Sequence, residues 1–231
     1  MKPLLLLHGA LGYREQFVDL ERLLHGKVKT HSFNFSGHGK TPSREHAFTI
    51  QNLAHEVLNY LNEHQILSVD IFGYSMGGYV ALWLARFYPD RVGKIFTLGT
   101  KFDWSEASLE KELKLLNAEK IVEKVPAFAE LLAERHGQHE WRSVMSKTAH
   151  LMKDLEHTHL TFEDFQQIKS PVLLGLGELD AMVSLEETKK VQAQIPKSIL
   201  VQYENMPHAF EKVDSQILAQ ELVNFFEEVG T

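Results

Sequence analysis

The sequence predicts an α/β fold, in which a mostly parallel sheet of about six strands has helices on both faces. Short unbroken apolar runs recur along the chain, and Leu4–Leu7 is the first of them. Runs of this kind are typical of strands that are buried on both faces. Between them lie segments with apolar residues at helical spacing, as at Leu53, Val57 and Leu61. Alternation of strands with helices favours right-handed crossovers and therefore a parallel sheet.

Six apolar runs are interpreted as the strands. They cover residues 4–7, 28–33, 69–72, 94–98, 171–176 and 199–203. Helical spacing in the core is clearest around Leu20, Leu53, Leu84 and Leu222. We expect the last of these helices to end near Gly230, because glycine commonly follows a helix.

One long segment interrupts the alternation. Residues 102–166 have helical patterning and no clear strand, with breaks expected at Pro126 and Gly137. An all-helical insertion between two parallel strands predicts a cap over the strand ends. The expected organisation is a core of residues 1–100 and 167–231 with a helical cap of residues 101–166 inserted in it.

Composition and charge exclude several classes of function. The chain has 231 residues, which is enough for one sizeable core. Its formal net charge of −7 provides no basic face for nucleic acid or for an anionic membrane. The absence of cysteine excludes disulfides, thiolate metal sites and a cysteine nucleophile. Leu4–Leu7 is too short for a signal-peptide core, and no run reaches the roughly 20 apolar residues of a membrane span. We therefore expect a soluble, cytoplasmic protein.

Residues 73–77 match the pattern G-x-S-x-G around Ser75, and Gly78 follows directly. A serine at a sharp strand-to-helix turn has a strained backbone and an exposed hydroxyl, and small neighbours are needed because the turn is crowded. The apolar run 69–72 before it and the amphipathic segment 78–88 after it supply that context. The sequence thus predicts Ser75 as a nucleophile. The alternative is a glycine-rich turn that only allows close packing.

A serine nucleophile needs a base and a group that orients the base. His208 follows the last predicted strand, and Asp180 follows the strand before it, so both are expected at the carboxyl end of the sheet with Ser75. The chain order serine, aspartate, histidine agrees with this architecture. Asp103 and Glu178 are rival acids. The catalytic prediction is Ser75, His208 and Asp180.

A tetrahedral intermediate also requires backbone N–H donors for its negative oxygen. Met76, directly after the nucleophile, begins a predicted helix whose dipole assists. Ala10, in the loop after the first strand, is the second expected donor. The alternative is that His8 and Gly9 in that loop only shape the turn.

Together these residues resemble the α/β-hydrolase superfamily over nearly the whole chain outside the cap. Residues 36–41 resemble its glycine-histidine-glycine loop, and residues 89–92 resemble the segment leading into its sixth strand. Members commonly begin with a β-hairpin ahead of the strand that corresponds to Leu4–Leu7, and this sequence has no residues for such a hairpin. The resemblance therefore implies a sheet without the hairpin strands, in which residues 28–33 form an edge strand. Lys27 and Lys29 suit an edge, because charge discourages edge-to-edge pairing.

The cap contributes candidate binding residues and a possible metal cluster. Residues expected to line an acyl pocket are Phe102, Trp104, Trp141, Met145 and Met152. The alternative for each is ordinary packing of cap on core. His136 and His139 lie three residues apart, but Gly137 disrupts a shared helical face and no carboxylate–histidine spacing accompanies them. We expect these histidines to lie on a solvated surface, with no metal bound.

The sequence therefore predicts a serine hydrolase that cleaves a small-molecule carboxylic ester through an acyl-enzyme, without a cofactor. One alternative is a lyase or synthase that resembles the menaquinone-pathway branch of the superfamily. That branch tends to have arginine where this chain has Tyr79. Hydrolysis of a C–C bond, or ligand binding without turnover, are further alternatives.

Overall fold

The computed structural model describes residues 2–44 and 46–227. Their six strands form one sheet, parallel throughout, in the order β2-β1-β3-β4-β5-β6. The strands are β1 (Leu4–Leu7), β2 (Thr30–Ser32), β3 (Val69–Tyr74), β4 (Val92–Leu98), β5 (Val172–Leu179) and β6 (Ser198–Pro207). The predicted fold class is confirmed.

Helices connect these strands across both faces of the sheet. They are α1 (Val18–Leu24), α2 (Ile50–Glu63), α3 (Met76–Phe87), α4 (Glu106–Leu115), α5 (Ala118–Lys124), α6 (Pro126–His136), α7 (Glu140–Thr158), α8 (Phe162–Gln166), α9 (Leu185–Gln192) and α10 (Ser215–Glu227). The predicted end of the last helix at Gly230 lies outside the described residues.

Two hydrophobic cores cover the two faces of the sheet. Leu5 and Leu7 of β1 point into the core with α2, α3 and α9, whereas Leu4 and Leu6 point into the core with α1 and α10. All four leucines are fully buried, because side chains alternate between the faces of a strand and both faces are covered. The central strands are thereby fixed in position, and their carboxyl ends lie together at one rim.

The edge strand is shorter than predicted. β2 comprises three residues and pairs only with β1, so its place at the sheet edge agrees with the sequence prediction. The other edge, β6, pairs with β5 from Ser198 onward. Between β4 and β5 lie helices α4–α8, and this fully described stretch contains no strand. Helix α5 is capped by Asn117, whose side chain accepts a hydrogen bond from Lys120 N.

Candidate active site

Ser75 lies at the turn between β3 and α3. Its backbone has φ 51° and ψ −115°, a left-handed conformation that is uncommon for a residue with a side chain. The turn is held by hydrogen bonds from Ser75 N to Leu98 O (2.8 Å) and from Thr100 Oγ1 to Ser75 O (3.1 Å). Strain of this kind persists only where surrounding contacts fix the backbone.

The glycines around Ser75 allow backbones to approach closely. A Cβ atom on Gly77 would lie 2.3 Å from Leu7 O, and one on Gly73 would lie 2.5 Å from Gly78 Cα. A Cβ on Gly78 would lie 2.1 Å from Thr100 Oγ1. Each distance is shorter than a van der Waals contact, so glycine is required at residue 73 by the tight turn into α3, and at residues 77 and 78 by the packing of α3 against β1 and against the end of β4 and the residues after it.

Replacing Gly77 by alanine is expected to destabilise the protein by more than about 3 kcal/mol, because the clash is with backbone that cannot rotate away. Gly26→Ala is the control. Gly26 also has a positive φ of 80°, but nothing lies within 4 Å of its added Cβ, so its cost is about 1 kcal/mol. Urea unfolding measures both values. Equal losses in the two variants would contradict the packing argument.

His208 and Asp180 are brought together at the ends of β5 and β6. His208 Nδ1 lies 2.7 Å from Asp180 Oδ2, and the Asp180 side chain is 1% exposed. The other carboxylate oxygen, Oδ1, accepts hydrogen bonds from Met182 N and Val183 N, both at 2.9 Å. Because both oxygens are engaged, the carboxylate is fixed in orientation, and Nδ1 is the donor towards it. The Nε2 atom of His208 is then left to accept a proton.

The two rival acids lie elsewhere. Glu178 is exposed, and its Oε2 accepts a hydrogen bond from Asn205 N. Asp103 is also exposed, and its Oδ1 accepts from Ser105 N. Among these three acids the structure joins Asp180 to the histidine.

Sequence reasoning missed the role of Tyr74. Its hydroxyl donates to His208 O (2.8 Å), and its ring lies 5.5 Å from the imidazole, centroid to centroid. The Tyr74 side chain is buried, and this burial raises its pKa well above the usual value, so the hydroxyl keeps its proton. Tyr74 occupies the variable position before the serine, where the pattern itself carries no indication of such a contact.

Ser75 and His208 line the same cavity at the carboxyl rim of the sheet. The imidazole of His208 packs against Gly99, since a Cβ on Gly99 would lie 3.2 Å from His208 Nδ1. Gly99 directly follows Leu98, whose carbonyl oxygen accepts the hydrogen bond from Ser75 N. Within the described chain no hydrogen bond yet joins Ser75 Oγ to the imidazole. Such bonds are often long without substrate and shorten when it binds.

The loop after β1 places Ala10 beside Ser75. A Cβ on Gly9 would lie 3.1 Å from Ser75 Cβ, and Ala10 and Met76 both line the cavity. His8 fixes this loop through two hydrogen bonds. Its Nε2 accepts a hydrogen bond from Phe35 N (3.2 Å), so Nδ1 carries the proton and donates a hydrogen bond to Gly9 O (2.8 Å). Complete burial lowers the pKa of His8 to about 4, and the imidazole is therefore neutral.

The rest of the cavity wall is mostly apolar and comes from both core and cap. Of the predicted pocket residues, Trp104 and Met152 lie in this wall. Trp141 and Met145 instead pack inside the cap with Ile121 and Leu132. Phe102 lines a neighbouring groove between α9 and the cap. Trp104, Trp141 and Met145 are buried and Phe102 and Met152 are half-buried, but the sequence did not specify which residues each of them packs against.

The expectation of a solvated surface was wrong for His136. This residue ends α6 and is 1% exposed. Its Nε2 donates to Leu11 O (3.0 Å) and its Nδ1 accepts from Gly39 N (3.1 Å), so it joins the cap to the two core loops beside the site. Burial lowers its pKa to about 4, and the neutral ring can both donate and accept.

Comparison with known proteins identifies the family of the fold. Residues 2–140 match the family model described as the alpha/beta hydrolase fold. The chain belongs to this family. This α/β hydrolase is 23% identical in sequence to the uncharacterized hydrolase YugF of Bacillus subtilis over 249 residues. The alignment covers 97% of this chain and 89% of YugF.

Solved α/β-hydrolase structures superpose along its whole length. MGS-M2, an alpha/beta hydrolase enzyme from a deep-sea metagenome library, has a TM-score of 0.84 at 18% identity, covering 100% of this chain and 90% of that protein. A thermophilic esterase from Thermogutta terrifontis has a TM-score of 0.78 at 20% identity, covering 100% and 91%. At these identities the likeness concerns the fold. In the described part of this α/β hydrolase, none of the helices has both the length and the apolar character needed to cross a membrane.

Proposed function

We propose that this α/β hydrolase is a serine esterase that cleaves small carboxylic esters through an acyl-enzyme. The observation that carries the proposal is the cavity at the rim of the sheet. Its wall contains a serine on a strained turn and a histidine whose Nδ1 is held 2.7 Å from a buried carboxylate. This is the arrangement that activates a hydroxyl as a nucleophile.

The reaction follows from the positions of the groups. Ser75 Oγ attacks the ester carbonyl while His208 Nε2 accepts its proton, and Asp180 stabilises the resulting imidazolium. The N–H groups of Ala10 and Met76 bind the negative oxygen; Met76 N is available because the first residues of a helix lack intrahelical acceptors. His208 then protonates the leaving alcohol. Water, deprotonated by His208, finally attacks the acyl-enzyme and releases the acid.

The size of the cavity supports a short acyl group. The centre of a water molecule can occupy about 40 Å³ of it. This space is small beside the about 300–1,000 Å³ that is typical of pockets for drug-sized ligands. We therefore expect the cavity to favour a short acyl group, such as acetyl to butyryl, over a long fatty acyl chain.

Tyr79 gives no support to the lyase or synthase alternative. That alternative expects a cation near the double glycine to bind an anionic substrate. The Tyr79 side chain is buried, and its hydroxyl accepts a hydrogen bond from Leu160 N at 2.8 Å, which joins α3 to the cap. This residue supplies a structural contact instead of a positive charge.

A fluorophosphonate probe and p-nitrophenyl esters of graded length test the proposal. We expect covalent labelling at Ser75, located by peptide mass spectrometry, and turnover that falls at least tenfold between butyrate and octanoate. The fall follows from the small free volume beside Ser75. Absence of the label from Ser75, or faster turnover of octanoate than of butyrate, would contradict it.

A further inference from the structure

Two oppositely charged side chains, one from the core and one from the cap, line the cavity of the candidate site. Lys101 follows β4 in the core, and Glu112 lies on cap helix α4. Lys101 Nζ lies 3.2 Å from Glu112 Oε1, and the two side chains are 12% and 6% exposed. Both line the cavity that contains Ser75 and His208. Neither residue is used by the proposed reaction.

Stability alone does not account for this pair. Removing two charges from water is costly, and a buried ion pair is often no more stable than apolar side chains of similar volume. The surrounding wall already consists of apolar side chains such as Leu151 and Leu155. A charged pair in such a wall therefore indicates contact with a polar part of a ligand.

The geometry of the pair defines the group it can bind. The ammonium of Lys101 has three protons; its partners among the described residues are Glu112 Oε1 and Met182 O, the latter at 3.0 Å. One N–H is left for a ligand, and a carboxylate has several further lone pairs. A group that both accepts from the ammonium and donates to the carboxylate satisfies both partners.

Charged substrate groups are disfavoured at this place. A carboxylate that approaches Lys101 also approaches Glu112, and an ammonium that approaches Glu112 also approaches Lys101, because the pair is only 3.2 Å apart. Like charges in close, partly buried positions repel strongly. A hydroxyl carries no net charge and is at once a donor and an acceptor.

We propose that Lys101 and Glu112 bind a hydroxyl group of the substrate, so that the preferred substrates are short hydroxyacyl esters. The inference rests on the proposed esterase function of the same cavity. The small free volume places the hydroxyl within a few bonds of the ester carbonyl. Lys101 and Glu112 thereby determine specificity, and they take no part in the bond-breaking steps.

The test compares esters of equal size. Ethyl 3-hydroxypropionate and ethyl butyrate differ by a hydroxyl in place of a methyl group, and β-alanine ethyl ester carries an ammonium at the same position. We expect kcat/KM to be at least about tenfold higher for the hydroxy ester than for either of the others, the discrimination expected of a hydrogen bond to a charged group. In the double variant Lys101→Met/Glu112→Leu, which keeps the wall apolar, the ratio of hydroxy ester to butyrate falls to about one or below.

The matched control lies on the same helix. Lys114 and Glu110 form an exposed ion pair on α4, with Nζ and Oε1 2.9 Å apart. The variant Lys114→Met/Glu110→Leu is expected to keep the wild-type ratio. If Lys101 and Glu112 only attach the cap to the core, their replacement lowers kcat/KM for both esters equally and the ratio does not change. That result would overturn the inference.

A binding measurement separates this inference from the proposed function. Calorimetric titration of the Ser75→Ala variant with the hydroxy ester and with ethyl butyrate needs no turnover. We expect Kd to be about tenfold lower for the hydroxy ester, and the difference to disappear when Lys101 and Glu112 are also replaced. Equal Kd values refute the hydroxyl site. Failure of every ester to be hydrolysed in a Ser75-dependent way instead refutes the esterase function, whatever the Kd values are.

Discussion

Replacing Ser75 by alanine is expected to lower kcat for a short ester by roughly 10⁶-fold, the scale seen when a catalytic serine is removed from a hydrolase. The variant keeps Ala10, Met76 and the rest of the cavity wall, but it has no oxygen that can form the acyl-enzyme. Any remaining catalysis comes from binding and from the backbone N–H groups. Initial rates with p-nitrophenyl acetate measure the change.

The fold is expected to survive this substitution. Alanine adopts the left-handed backbone of residue 75 with about the same strain as serine, and the bond from its N–H to Leu98 O remains. Thermal unfolding followed by circular dichroism checks that the loss is not one of structure. Ser143→Ala, an exposed serine on α7, is the matched control and should keep the wild-type rate. A Ser75→Ala enzyme with more than a hundredth of the wild-type kcat would remove the nucleophile from the proposal.

Local sequence patterns were sufficient for the sheet. Apolar runs predicted the strands because a strand covered on both faces must be apolar on both. In the cap, local sequence patterns were not sufficient. Trp141 and Met145 were expected in the pocket wall, but they pack inside the cap, whereas Trp104 and Met152 line the cavity. The helical spacing of apolar residues along one helix does not show which other element its apolar face packs against.

Residues that join distant segments were the hardest to predict. His136 contacts Leu11 O, 125 residues away in the chain, and Lys101 pairs with a residue of the cap. Lysine and glutamate side chains are mostly exposed and histidine is intermediate in burial, so nothing in the local pattern marks these residues as buried. Asp180 was preferred over its rivals because of its place after the strand that precedes the last one; the order serine, acid, histidine holds for all three acids and does not distinguish them.

Replacing Asp180 by asparagine is expected to lower kcat by roughly 10⁴-fold with the geometry almost unchanged. The reason lies in the two oxygens of this side chain. Oδ1 accepts from Met182 N and Val183 N, so the amide oxygen of the asparagine stays at that position and its NH₂ group faces His208 Nδ1. Nδ1 must then accept, and the proton of the neutral imidazole moves to Nε2. In this tautomer Nε2 cannot accept the proton of Ser75.

The rival acids are the controls for this prediction. Asp103→Asn and Glu178→Gln make the same chemical change at exposed carboxylates that lie away from the imidazole, and both should stay within about threefold of the wild-type rate. Labelling of Ser75 by fluorophosphonate should slow in Asp180→Asn and in neither control, because the probe depends on the same activated hydroxyl. A large loss in Asp103→Asn with little loss in Asp180→Asn would mean that the histidine is oriented from the end of β4, and the assignment of the acid would then be wrong.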